Sequence, residues 1–253
     1  MTRKQNRTVV VTGGGRGIGA AVTRAFCRAG DRVVIGSRSD AGLAAELGEA
    51  ARFLSCDVTR AGDLEKLIDA AVEWTGSLDV IVNNAGMSEW KPLEEVDEKF
   101  WQKMIDVNLK GVFFGCKAAA ARLGSGGCII NVSSLAGKRG SANNAVYCAA
   151  KFGVNGLTQS LAKELGPRKI RVNAVCPVYV ETDGLSQALA SKDAPPAGKN
   201  VKHYLSEFAK AQSALGRLPT GDEIAEACLF LASPAASAIT GQCLNIDCGV
   251  MPQ

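Results

Sequence analysis

The sequence holds a single histidine, His203, in 253 residues. That scarcity argues against a zinc site and against a Ser-His-Asp triad, both of which lean on imidazole. Aromatic residues make up only 6%. No Cys-x-x-Cys occurs, and the nine cysteines are odd in number. Cys116, Cys128, Cys148, Cys176 and Cys228 sit inside apolar runs. They read as buried free thiols in a reducing compartment rather than as a disulfide framework. No apolar run reaches the ~18 residues of a membrane span. The N-terminal stretch lacks a secretory apolar region and passes directly into a strand and a glycine loop. The net charge of +4 is spread thinly, and its densest cluster, residues 3–7, is short. The expectations are a cytoplasmic protein with no membrane partner, no nucleic-acid partner and no metal.

What is plentiful is glycine, at 28 residues, together with hydrophobic residues at 47%. Short apolar runs alternate with segments of helical periodicity. Strands are expected at residues 9–11, 32–35, 52–56, 78–82, 128–132, 170–176 and 243–246. Helices are expected from Ile18 to Ala29, from Leu64 to Trp74, from Asp97 to Leu123, from Val146 to Leu165 and from Ile224 to Leu231. Fully apolar strands alternating with helices imply a parallel sheet covered on both faces. The predicted fold is α/β: one doubly wound Rossmann domain over residues 1–253, with a seven-stranded parallel sheet. Residues 183–215 break the rhythm with Pro195-Pro196, Gly198 and scattered lysines, and read as a loop that forms a substrate lid.

The segment Thr12-Gly13-Gly14-Gly15-Arg16-Gly17-Ile18-Gly19 joins the first strand to the first helix. Gly13 permits a sharp turn, Gly17 leaves room for a pyrophosphate, and Gly19 lets helix and strand pack closely. The helix N-terminus then offers free N–H groups and a positive dipole. The pattern TGxxxGxG differs from the common G-x-G-x-x-G. With it, the whole chain resembles a short-chain dehydrogenase/reductase of the single-domain branch near 250 residues. Gly13, Arg16, Gly17, Ile18 and Gly19 are therefore expected at a dinucleotide.

Where NAD-binding proteins end the second strand with an acid, this chain has Ser37 followed by Arg38. A carboxylate there repels a 2′-phosphate, whereas an arginine binds one. NADP(H) is the expected cofactor, with Arg16 as a second cation. NAD(H) is the alternative, with Asp40 reaching the ribose. The resemblance also implies that Asp57 and Val58 lie at the adenine, and that Asn84, Ala85 and Gly86 run beside the cofactor.

Tyr147 and Lys151 stand four residues apart on a predicted helix, so they share a face. A phenol of pKa about 10 is a poor base, and a nearby ammonium favours the phenolate. The pair is expected to perform acid/base chemistry, with Lys151 also holding the nicotinamide ribose. Ser134, at the end of the fifth strand, is placed to hold the substrate oxygen. Ser133 competes for that role, and the family spacing selects Ser134. The resemblance makes Asn108 the fourth member, holding a water that links the lysine to solvent; a satisfied structural amide is the other reading. The implied reaction is hydride transfer between nicotinamide and a ketone or secondary alcohol.

After the sixth strand the family usually shows Pro-Gly; here it is Pro177-Val178. Pro177, Val180 and Thr182 match positions at the nicotinamide. Cys248-Gly249 replaces a usual glycine pair. The predicted lid carries Lys192, Lys199, Lys202, His203 and Lys210, and Lys138 and Arg139 follow Ser134. These charges are read either as solvated or as favouring an anionic substrate. The substrates in view are 3-oxoacyl groups on a carrier, sugars, polyols or cyclic alcohols. The resemblance implies a homotetramer, with the helices from Asp97 and Val146 as contact faces. The rival from another class is a nucleotide-binding regulator without turnover.

Overall fold

A computed structural model describes residues 6–252, so the opening of the basic cluster at residues 3–7 lies outside the described residues. Seven strands form one sheet: β1 (Thr8–Thr12), β2 (Arg32–Ser37), β3 (Ala51–Ser55), β4 (Leu78–Asn83), β5 (Leu123–Val132), β6 (Arg171–Pro177) and β7 (Cys243–Ile246). Their order is β3-β2-β1-β4-β5-β6-β7, and every pairing is parallel. The order reverses between β1 and β4, and the crevice at such a reversal is where doubly wound sheets bind ligands.

Alternation along β1 shows how the two faces are covered. Val9 and Val11 point into one apolar cluster, and Val10 into another. The first cluster is closed by α1 (Gly17–Arg28) and α9 (Gly221–Leu231), with α2 (Leu43–Leu47) at its edge. The second is closed by α3 (Ala61–Thr75), α5 (Gly111–Ala120) and α6 (Ala145–Leu165). All three valines are fully buried. Each buried aliphatic side chain contributes roughly 1.5–3 kcal/mol, which makes the central strands the anchor of the sheet.

The helix expected from Asp97 to Leu123 is not continuous. Asp97 caps α4 (Glu98–Ile105) by accepting a bond from the Phe100 N–H at 2.7 Å. A wider π turn follows at Asp106–Lys110, and α5 ends at Ala120. The Arg168 guanidinium then donates to the carbonyls of Ala120 and Leu123, closing the helix end. Leu123 is buried, which is why it continues the apolar pattern, but it already pairs with Leu78 in the sheet. Strand β5 therefore begins five residues before the expected Cys128 and crosses the Gly-Ser-Gly-Gly stretch.

Residues 183–215 also differ from the expected loop. They contain α7 (Asp183–Leu189) and α8 (Val201–Gln212), capped by Thr182 and Asn200. Leu189 and Leu205 from these helices bury themselves against Trp90.

Candidate active site

The first turn after β1 is held by backbone contacts. Gly13 donates to the Gly36 carbonyl at 2.6 Å. The Asn84 amide donates to the carbonyls of Thr12 and Gly13, while the Thr12 hydroxyl accepts from the backbone N–H groups of Asn84 and Ala85. Gly17 has φ +51°, and a methyl group there would meet Thr182 at 3.2 Å. At Gly19 a methyl group would lie 2.2 Å from the Gly13 carbonyl oxygen. No side chain caps α1, and its first turn carries no acidic residue. Its free N–H groups and dipole suit an anionic pyrophosphate. The closely packed glycines and uncapped helix thus fit a dinucleotide.

From this turn a cleft of about 1310 Å³ runs past the carboxyl ends of the strands. Gly13, Arg16, Gly17, Ile18, Gly19, Arg38, Asn84, Ala85 and Gly86 line one end of it. Asn108, Ser134, Tyr147, Lys151, Pro177, Val180 and Thr182 line its middle. Ser37, Asp57 and Val58 do not line it. The Ser37 hydroxyl donates to the Ser39 carbonyl, and Val58 packs on Gly111. Asp57 accepts from the Thr59 N–H and hydroxyl; those bonds, with Arg60 and Arg38 nearby, hold its carboxyl below the usual range. Asp40 is engaged as well, accepting from the Gly42 N–H at 2.8 Å.

Tyr147 and Lys151 project from α6 into the same space. The Lys151 ammonium lies 5.6 Å from the Tyr147 ring centre and donates to the Val132 carbonyl at 2.9 Å. The electrostatics differ from the sequence expectation of a phenol made more acidic. Tyr147 opens onto the cleft, yet enough protein surrounds it that burial pushes its pKa up to about 12. A hydrogen bond with Ser134 works in the opposite direction and is weaker. Burial pulls Lys151 down to about 8. Desolvation thus dominates at both groups and favours the neutral form of each.

The two serines separate cleanly. Ser133 is buried and its hydroxyl donates to the Lys151 carbonyl, whereas Ser134 meets the Tyr147 phenol. Asn108 sits in the π turn, fully buried. Its amide donates to the Met104 carbonyl, and its oxygen accepts from the Met87 N–H. A methyl group at Gly86 would lie 3.1 Å from the Asn108 oxygen and 3.8 Å from the Lys151 nitrogen. Asn108, Gly86 and Lys151 therefore converge.

At the far end the cleft is walled by Trp90, Lys91, Arg139, Asn144, Tyr179, Asp193 and Phe208. Lys192, Lys199, Lys202, His203 and Lys210 do not reach it; Lys210 pairs with Glu207. The Lys138 ammonium donates to the Cys243 carbonyl at 2.6 Å. Of the cations considered for an anionic substrate, only Arg139 lines the cleft, and Glu89, Glu95, Glu181, Asp183 and Asp193 line it too. Val178 has no positive φ and packs against the cluster of Leu135, Cys176 and Val250, so this turn does not need the family's glycine. Cys248 does adopt φ +55°, a left-handed conformation that favours glycine. Trp90, Asn144 and Tyr179 were not singled out from sequence. Trp90 lies in a polar stretch without periodicity, and Asn144 reads only as a helix-start residue.

The family profile described as enoyl-(acyl carrier protein) reductase matches residues 13–251. The cis-4-hydroxycyclohexanecarboxylate dehydrogenase of Sinomonas cyclohexanicum is 39% identical, with 96% of each chain covered. Among solved structures, a short-chain dehydrogenase/reductase from Brucella melitensis described as glucose/ribitol dehydrogenase superposes with TM-score 0.90 at 34% identity, covering 100% of both chains. A 3-ketoacyl-(acyl-carrier-protein) reductase from the same organism, complexed with NADH, gives TM-score 0.86 at 32% identity, over 97% of this chain and 98% of that one. The chain belongs to the short-chain dehydrogenase/reductase family, oxidoreductases that act on CH–OH and C=O groups with a nicotinamide cofactor.

Proposed function

We propose that this chain is an NADP(H)-dependent carbonyl reductase and secondary-alcohol dehydrogenase, with Tyr147 as its acid/base. The observation that carries the reading is the convergence of Tyr147, Ser134 and Lys151 on the cleft that begins at the glycine turn. When bound, the nicotinamide supplies or accepts the hydride. With its pKa raised to about 12, Tyr147 holds its proton at neutral pH, which suits a donor to the forming alkoxide. Ser134 donates a hydrogen bond to that same oxygen and so orients the carbonyl. Lys151, held by the Val132 carbonyl, stabilises the phenolate left behind. Asn108 positions this group: both its polar ends are bound to backbone, and they brace Met87 against the π turn. Oxidation of an alcohol runs through the same groups in reverse.

The preference for NADP(H) rests on Arg16 and Arg38. Both line the cleft, and neither closes an ion pair among the described residues. No carboxylate occupies position 37, and Asp40 is spent on its own turn. Removing the phenol tests the assignment. Tyr147→Phe is expected to lower kcat by at least ~10³-fold, the upper part of the range for a lost acid/base. NADPH affinity, read by fluorescence titration, should change less than about threefold. Retained turnover in that variant would overturn the reading.

A further inference from the structure

The named relatives act on quite different carbon skeletons, so substrate choice must come from this chain's own cleft. Two atoms there are out of balance. The Trp90 indole nitrogen and the Asn144 side-chain oxygen are buried without any hydrogen-bond partner. Their residues are only 5% and 4% exposed, and both line the cleft. One is a donor and the other an acceptor. A buried polar group without a partner costs roughly 1–3 kcal/mol, so a ligand that satisfies both atoms recovers that cost on binding.

Their placement relative to the reacting atoms is set by two features. Asn144 is the N-cap of α6, three residues before Tyr147, and both residues line the cleft. Asn144 therefore stands within about one helical turn of the phenol along the chain. The Lys91 N–H donates to the Asn143 carbonyl at 2.6 Å and fixes the Trp90 segment beside Asn144. The ring of Trp90 is further held by Leu189 and Leu205.

We propose that Trp90 and Asn144 read hydroxyl groups close to the reacting carbon, so that the substrate is a neutral polyhydroxylated ketone or alcohol. A hydroxyl accepts from the indole N–H and donates to the amide oxygen, and neighbouring hydroxyls serve both atoms. A bare hydrocarbon chain satisfies neither. At the far end Glu89, Glu95 and Asp193 stand beside Lys91 and Arg139, which leaves no excess of positive charge for an anion and suits hydroxyl donors. This inference deepens the proposed oxidoreductase function and rests on it for the identity of the reacting carbon.

The test compares two ketones of equal chain length, L-erythrulose and 2-butanone, with NADPH as reductant. The wild-type protein is expected to favour erythrulose by about 100-fold in kcat/KM, tenfold for each satisfied atom. Trp90→Phe keeps the apolar ring and removes the N–H. It should lower the erythrulose-to-butanone ratio about tenfold, as should Asn144→Leu. Thermal melts check that both variants are folded. Equal turnover of the two ketones by the wild type, or an unchanged ratio in both variants, overturns the inference. Calorimetry separates this outcome from failure of the enzymatic reading. Erythrulose is titrated into protein carrying Tyr147→Phe and saturated with NADP⁺ or, separately, NAD⁺, so that its own secondary alcohol at C3 is not oxidised during the titration. Tenfold weaker binding in Trp90→Phe supports hydroxyl recognition even if turnover is absent, and unchanged binding overturns it.

Discussion

The two ends of the cleft are built in opposite ways. At the glycine turn the walls are backbone, and the polar groups are already committed: Asn84 to Thr12 and Gly13, Thr12 to Asn84 and Ala85, Gly13 to Gly36. At the far end the walls are side chains from separate segments, and two buried polar atoms have no partner. A ligand whose shape never changes can be met by a rigid backbone cradle. A ligand that distinguishes one relative from another is met by side chains, which substitution can alter without moving the fold.

The largest effect should come from filling the backbone cradle. Gly19→Ala forces a carbon within 2.2 Å of the Gly13 carbonyl and 2.5 Å of the Asn84 amide nitrogen. It should destabilise the protein by roughly 3 kcal/mol, the upper part of the range for overpacking. Denaturant melts and NADPH titration would both register it, and a silent Gly19→Ala would break the contrast drawn above. Arg38→Asp comes next. In the proposed NADPH complex it replaces a charge-assisted contact with a repulsion and should shift the ratio of kcat/KM for NADPH over NADH by about 30- to 100-fold toward NADH. An unchanged ratio would assign the 2′-phosphate contact elsewhere.

The reaction centre between the two ends should show its burial in a pH profile. Lys151 is lowered to about 8, so its ammonium form prevails below that pH and is lost above it. Reductive kcat should be level below pH 8 and fall about tenfold per unit above it. A profile still level at pH 10 would show that the charge on Lys151 is not required. The smallest effect belongs at the turn after β7. Cys248 bears a left-handed φ of +55° while its carbonyl accepts from Leu215 and Ser213. Cys248→Gly should relieve that strain and stabilise the fold by about 0.5–1 kcal/mol, a melting-temperature rise of roughly 2 °C.

Much of the fold was legible because strands buried on both faces are continuous apolar runs. Val9-Val10-Val11 and Val80-Ile81-Val82 admit no other comfortable setting. The run from Asp97 misled because Leu123 is buried, and burial alone does not tell a last helical turn from a first strand residue. In α8 the apolar residues Val201, Leu205, Phe208 and Ala209 do recur at helical spacing. The preceding Pro195-Pro196 and the lysines hid that signal under the look of a loop. Glycines and the Tyr-Lys pair were readable at the site because their spacing is local. The direction of the Tyr147 shift was not, since it depends on how much protein closes over the phenol.

By itself the chain determined the sequence of the seven strands, the glycine turn, and the one-turn separation of Tyr147 from Lys151, all of which are set by neighbours within a few residues. Tertiary structure alone decided that the Ser133 hydroxyl is spent on the Lys151 carbonyl, that the lysines of residues 183–215 miss the cleft, and that Trp90 and Asn144, which line it, keep a buried donor and acceptor without partners. Those outcomes depend on desolvation and on contacts between segments far apart in sequence, and neither quantity is carried by any short stretch of residues.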